Sequence, residues 1–481
     1  MRSRDSAPPQ DTEQSNTTGW TLRQIWMLTV ACCAVALVVA AMAALNTALP
    51  DLARDTGATQ SQLTWIVDGY TLTLAALLLP AGALGDRYGR RRAAHGRAVG
   101  LRPGLRHSDP ERQPRVDHRF PGDSGVGAAL VMPAALSLLT AGFPPAHRGR
   151  AVGIWSGVAG SGAIAGLLVS GLLLEKWSWH AIFISLTVVS ALIFVTGFTI
   201  SSSRETERPP LDLPGTGLIA AAVGLFVLGT IEAPQRGWLD PVVLGLLVGG
   251  LAAAAAFALV ELRRKRPLLD VRLFANRAFG SGSMSLLLQF LASLGLFFLV
   301  VQYLQLVLNY SPLQSALALA PIAVPVVAMS AVMPMLIPHV GLRPLLASGS
   351  ALLGLGILLL VRLDAHSSYA EVCVPLIVAA FGIGLCTAPA TAAIVQNTPD
   401  AKQGVASAVN DTAREIGSAI GVAWRAASWP RGTAPTCSRR STPFRRPRRS
   451  RCRVHWPRHC RSPRSRAHRA SSWRRSRGIR F

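Results

Sequence analysis

The sequence predicts an all-α fold, a polytopic bundle of membrane-spanning helices. Three observations carry that expectation. Half of the 481 residues are hydrophobic and only 15% are charged, with a mean hydropathy of +0.35, a balance too apolar for an ordinary soluble domain and opposite to that of a disordered chain. Apolar runs long enough to cross a bilayer recur along most of the length. The basic residues between them fall mainly on alternate connections. The formal charge of +25 does not contradict this, because residues 424–481 hold 19 arginines and no acid, leaving 30 basic against 24 acidic groups, a net +6, on residues 1–423.

A helix needs roughly 20 mostly apolar residues to cross about 30 Å of hydrocarbon. Such runs occupy 25–49, 63–84, 150–174, 181–200, 214–231, 241–261, 280–304, 314–337, 344–361 and 372–395, with shorter ones at 125–142 and 404–423. The first follows a polar stretch ending at Arg23 and lacks a convincing cleavage site, so it is expected to remain as an anchor rather than leave as a signal peptide. The glycines and prolines inside the runs suit bilayer helices, where neighbours satisfy freed backbone groups and Gly permits close approach. Seven cysteines, with Cys32 and Cys33 adjacent in one run and Cys373 and Cys386 in another, make no disulfide framework and read as small hydrophobes.

Short loops rich in Lys and Arg stay in the cytoplasm. If one further span lies between 92 and 125, one set of connections carries Arg87, Arg90, Arg91, Arg92, Arg148, Arg150, Arg204, Arg208, Arg263, Arg264, Lys265, Arg266, Arg272, Arg277, Arg343 and Lys402. The other set then carries only Arg54, Lys176, Arg236 and Arg362. The stretch Ala93 to Ser124 does not supply that span as written, since it holds Arg97, Arg102, Arg106, Arg112, Arg115 and Arg119 among Pro, His and Asp. Each central charge would cost about 2.5–3.5 kcal/mol even on the lenient insertion scale.

Residues 424–481 have the same Arg, Pro, Ser, Trp and Cys flavour and no period of a helix or a strand. Both segments read as GC-rich coding sequence out of register. Shifted by one nucleotide, Leu101-Arg102-Pro103-Gly104-Leu105 can become Phe-Gly-Leu-Gly-Ser, and Trp429 to Thr436 can become Leu-Ala-Ala-Gly-Tyr-Arg-Ala-Asn. Two frame disruptions are therefore expected, one compensated near Gly125 and one not compensated; an uninterrupted frame in independent sequencing reads would refute this. Cys452, His455, His459 and Cys460 mimic zinc spacing and the arginines mimic a nucleic-acid arm, but both lie inside this tail and carry no expectation of a metal or a specific nucleic acid.

Gly82-Ala83-Leu84-Gly85-Asp86-Arg87-Tyr88-Gly89-Arg90-Arg91-Arg92, directly after an apolar run, resembles the loop motif between the second and third helices of the major facilitator superfamily. Leu45 to Pro50, Trp65 to Tyr70, Ala128 to Leu139, Leu211 to Gly215 and Tyr303 to Pro312 are similar to its 14-helix drug:proton antiporter branch. The resemblance implies two six-helix halves plus two inserted helices, with the third and fourteenth helices lost or scrambled here. The expected organisation is a cytoplasmic segment 1–24, an N-terminal half 25–200 scrambled over 93–124, inserted helices and linkers 201–278, an incomplete C-terminal half 279–423, and a disordered tail 424–481.

Candidate functional residues follow. Arg87, Arg90 and Arg91 act as a positive-inside lock while Gly82, Gly85 and Gly89 permit close packing; the resemblance implies that Asp86 joins a charge network latching the halves, against the plainer reading of a topology signal alone. Asp68 lies five or six residues inside the second span, where a carboxylate usually faces a cavity, and is the candidate for proton coupling or for binding a cationic substrate; an interfacial Asp solvated by water is the alternative at that shallow depth. The acidic residue the family carries in its first helix would align near Ala41, so that coupling group is absent.

In the fifth span, Gly157, Gly162, Gly166 and Gly171 resemble the antiporter signature, with Leu167 and Ser170 departing from it; a tightly packed helix of any transporter is the alternative. Asp411, Arg414 and Glu415, beside Asn410, fall within about one helical turn and can neutralise one another, a charge cluster expected near the cytoplasmic entrance.

No phosphate-cradling loop or nucleophile elbow is present, so neither an enzyme nor an ATP-driven pump is expected, and no cofactor. The resemblance implies a multi-pass transporter of the bacterial inner membrane that exports amphipathic or cationic drugs by alternating access, with protons and lipids as partners. The competing expectation is a disrupted product that misinserts and does not transport.

Overall fold

The computed structural model describes residues 20–88, 119–199, 212–265, 267–364, 366–399 and 402–428. These form twelve α-helices. The first five are α1 (Leu22–Thr56), α2 (Gln60–Tyr88), α3 (Arg119–Gly142), α4 (Pro145–Lys176) and α5 (His180–Gly197). Next come α6 (Leu213–Arg236) and α7 (Pro241–Arg263), then α8 (Arg277–Gln302), α9 (Pro312–Val340), α10 (Leu342–Leu360), α11 (Tyr369–Gln396) and α12 (Gln403–Ser428). Eleven are long and apolar enough to cross a membrane; α12, with its charged middle, is not among them.

The helix ends follow local chemistry. Thr21 and Gln24 form a reciprocal capping box at the start of α1, and Ser311 with Gln314 does the same for α9. Gly57, at φ 64°, ends α1 in the left-handed conformation that glycine adopts without strain. Two helices extend into stretches read from sequence as out of frame, since α3 begins at Arg119 and α12 continues to Ser428. The rest of those stretches lies outside the described residues.

Connectivity at α2 and α3 bears on topology. A β-carbon on Gly142, at the end of α3, would strike Met27 near the start of α1, and Trp20 meets Phe143 edge to face at 5.3 Å. Both α2, through the short turn at Gly57, and α3 therefore run antiparallel to α1. The end of α2 and the start of α3 lie at opposite ends of the bundle.

Two seams join α1–α5 to α8–α12. In the first, α4 lies along α9: a β-carbon on Gly153 would be 2.6 Å from the Ser330 carbonyl, one on Gly157 3.1 Å from Ser330 Cβ, and one on Gly160 3.0 Å from Val326. In the second, α2 lies along α12, where a β-carbon on Gly82 would be 2.5 Å from the Gly404 carbonyl. Small residues are what such backbone approach requires in lipid, where no hydrophobic force drives helices together. The α6–α7 hairpin covers the second seam through α6, which packs on both α2 and α12. Its partner α7 turns Val242, Val248, Leu251 and Leu259 outward, as α5 does with Ile184, Leu192 and Val195, the surface expected of helices facing lipid.

Candidate functional site

α12 buries an uncommon amount of charge for a helix inside an apolar bundle. Asp411, Arg414 and Glu415 are 0%, 3% and 7% exposed, and Asn410 beside them is fully buried. The spacing places them on neighbouring turns, as the sequence implied, but eight to twelve residues into the helix rather than at its mouth. Glycine explains how this polar helix reaches the interior: β-carbons on Gly417 and Gly421 would collide with the Leu287 and Leu291 carbonyls of α8.

Neighbours from four other helices surround the cluster. The Arg414 guanidinium lies 5.3 Å from the ring centre of Trp155 on α4 and 5.2 Å from that of Phe290 on α8. A planar cation between two aromatic faces gains about 2 kcal/mol where water is excluded. Its Nη2 donates to Thr391 Oγ1 on α11 at 3.3 Å, while Asn410 Nδ2 donates to Asp411 Oδ1 at 3.0 Å. On α8, Gln289 Nε2 donates to Thr387 Oγ1 at 2.5 Å. Tyr70 of α2 is buried in electrostatic reach of Glu415 and donates to the Val38 carbonyl at 3.3 Å.

Much of this polarity is unspent. Trp155 Nε1, Gln289 Oε1, Asn410 Oδ1, Asp411 Oδ2, Arg414 Nε and Glu415 Oε2 are buried without a hydrogen-bond partner among the described residues. Each such atom costs about 1–3 kcal/mol in an apolar interior. Concentrated at the meeting of α4, α8, α11 and α12, they mark a place where something polar or charged can be received. Trp155, Gln289, Phe290, Thr387 and Thr391 were not singled out by the sequence. Gln289 alone leaves a trace there, as a polar residue in the 280–304 run.

Asp68 is half-buried on α2, two residues before Tyr70. Of the loop motif, Gly82 and Gly85 are buried on α2. Gly82 makes the seam contact with Gly404 and Ala408. Asp86 and Arg87 belong to the last turn of α2, with side chains outside the description, and Gly89, Arg90 and Arg91 lie outside the described residues. The α4 glycines divide between two partners. Gly157 and Gly171 face Ser330 and Leu313 of α9, whereas Gly162 and Gly166 face Val39 and Ala40 of α1.

Comparison with known proteins agrees with this architecture. The model of the Major Facilitator Superfamily matches residues 31–98 and 124–422. The puromycin resistance protein pur8 of Streptomyces alboniger is 34% identical over 409 residues, 83% of this chain and 81% of that protein. The multidrug resistance protein Stp of Mycobacterium tuberculosis is 32% identical over 389 residues, 79% of this chain and 71% of that protein. The multidrug efflux pump LfrA of Mycolicibacterium smegmatis is 31% identical, covering 78% and 75%. Among solved structures, the proton:xylose symporter XylE shares the fold with a TM-score of 0.58 at 16% identity, over 84% of this chain and 88% of that one. A bundle of spanning helices joined along two small-residue seams, matched over most of its length by one family model, is a multi-pass membrane transporter: the chain belongs to the major facilitator superfamily.

Proposed function

We propose that this chain is a secondary active drug exporter that moves amphipathic, cationic compounds out across the cell membrane in exchange for protons. The relatives named for multidrug resistance and efflux support export. The observation that carries the substrate class is the α12 cluster. Two carboxyl groups accompany one guanidinium, so the fully ionised set holds one negative charge more than it can balance internally. A cationic substrate supplies the missing positive charge. Trp155 and Phe290 offer ring faces to a flat cation on the same principle that seats Arg414.

In this reading Asp68 is the coupling carboxyl on the outer side, Asp411 and Glu415 are the counter-charge for substrate, and the two seams open alternately. The test uses full-length protein in liposomes with an imposed pH gradient and ethidium as the transported cation. Asp68→Asn is expected to abolish gradient-driven accumulation while dye-for-dye exchange continues. Glu415→Gln is expected to weaken ethidium uptake at least tenfold in apparent affinity. Undiminished gradient-driven transport by Asp68→Asn overturns the coupling assignment, and unchanged ethidium affinity in Glu415→Gln overturns the substrate assignment.

A further inference from the structure

We propose that the α6–α7 hairpin supplies a positioning residue to the transport cycle: Glu232, held by Arg236, sets the charge that Asp68 meets across the α2–α6 contact. This rests on the reading of Asp68 as the coupling carboxyl.

Helix register makes the case. A β-carbon on Gly224 would lie 3.4 Å from Ala76 Cβ, which fixes one level of contact between α2 and α6. The two helices run in opposite directions there, since α2 starts on the outer side and α6 ends on it. Asp68 precedes Ala76 by two turns and Glu232 follows Gly224 by two turns, so both rise to the same outer level, and the two carboxyls interact electrostatically. Arg236 Nε donates to Glu232 Oε2 at 2.7 Å, with the Glu232 side chain 17% exposed and that of Arg236 50% exposed. The next ring contact outward, Trp238 with Trp424 at 6.3 Å, links the hairpin turn to the end of α12. The hairpin therefore reaches the outer end of the seam as well as covering its side.

The other elements packed on α2 bring little charge to this level. α1 presents Val38 and Ala41; at its outer end Asp51 is closed on Arg54 at 2.8 Å and Asp55 accepts from Trp179 Nε1 at 2.7 Å. The described side chains of α3 carry no charge. α12 contributes Glu415, near Tyr70. Among the described side chains Asp68 thus meets Glu232 across the α2–α6 contact, and Arg236 acts on it through its ion pair with Glu232.

The sign of each substitution follows from Coulomb's law. Removing the negative Glu232 makes ionised Asp68 easier to hold, so its proton leaves at lower pH; removing the positive Arg236 does the reverse. Full-length wild-type protein, Glu232→Gln and Arg236→Gln in liposomes would be assayed for ethidium transport across external pH. The expected midpoints move in opposite directions, down for Glu232→Gln and up for Arg236→Gln, each by about 1 pH unit. A merely structural role would move neither midpoint, or both the same way, and either result overturns the proposal. The Glu232→Gln/Arg236→Gln double variant removes a pair with no net charge and is expected to keep the wild-type midpoint; a shift equal to that of Glu232→Gln alone also counts against it. Asp68→Asn separates the two layers. If its profile matches wild type, the coupling assignment itself fails; if it loses coupling while the Glu232 and Arg236 variants show wild-type midpoints, only the role of the hairpin fails.

Discussion

Arg414 is the residue on which the α12 cluster depends. Among the described residues it is the one cation in electrostatic contact with both Asp411 and Glu415, and it is wedged between Trp155 and Phe290. Removing one partner of a buried ionic group leaves the others uncompensated, which typically costs 3–5 kcal/mol. Arg414→Gln is therefore expected to lose roughly 3–5 kcal/mol of stability, read as a clear drop in thermal unfolding midpoint in detergent, together with ethidium transport. Adding Asp411→Asn and Glu415→Gln to that variant should return much of the stability and none of the transport. Arg414→Lys keeps the charge but loses the flat guanidinium between the rings, and is expected to fold while transporting poorly. If Arg414→Gln melts with wild-type protein, the cluster is not the buried charge assembly described here.

Most of the elements are legible in the sequence. The α8–α11 runs were evident because hydropathy integrates over a window that matches a bilayer span. The same averaging that reveals spans conceals sites. Asp411, Arg414 and Glu415 could be seen to share a turn, but their depth and their aromatic walls are set by α4 and α8, which are remote in sequence. Glu232 was invisible for a similar reason, since its relation to Asp68 exists only through the antiparallel register of α2 and α6. Gly82 was singled out as a packing glycine, and its facing partner Gly404 emerges only from the seam. A side chain at 82 must displace backbone rather than another flexible side chain, because the obstacle is the Gly404 carbonyl. Gly82→Leu should penalise this α2–α12 contact by about 1–3 kcal/mol, a shift of roughly 5- to 150-fold toward the state in which the seam is open. Cysteines at Ala83 and Ala406 would report it as reduced cross-linking in Gly82→Leu relative to wild type. Unchanged cross-linking would mean that the contact is not a moving one.

At the scale of the molecule, one side of the bundle collects the positive connections, and the helix directions give that asymmetry a geometric meaning. Lys402 Nζ donates to the Pro267 carbonyl at 2.9 Å and Asn276 pairs with Asn397 at 3.2 Å, which draws the α7–α8 and α11–α12 connections together. The α3–α4 connection and the first turns of α4, with Arg148 and Arg150, stand at the end of the bundle where α1 begins and α2 ends. For Arg150 to share a face with Lys265 and Arg343 in the membrane, the end of α2 and the start of α3 must lie on opposite faces, although arginines in the intervening sequence would each cost about 2.5–3.5 kcal/mol at a bilayer centre. Single cysteines in a cysteine-free background resolve the conflict: Ser178→Cys and His366→Cys are expected to react with an impermeant maleimide on intact cells, and Arg150→Cys, Lys265→Cys and Arg343→Cys only after permeabilisation. Labelling of Arg150→Cys from outside, with Lys265→Cys still protected, would place α3 and α4 upside down relative to α8–α12. In that arrangement Trp155 could not meet Arg414, and the seam on which exchange depends would not form in cells.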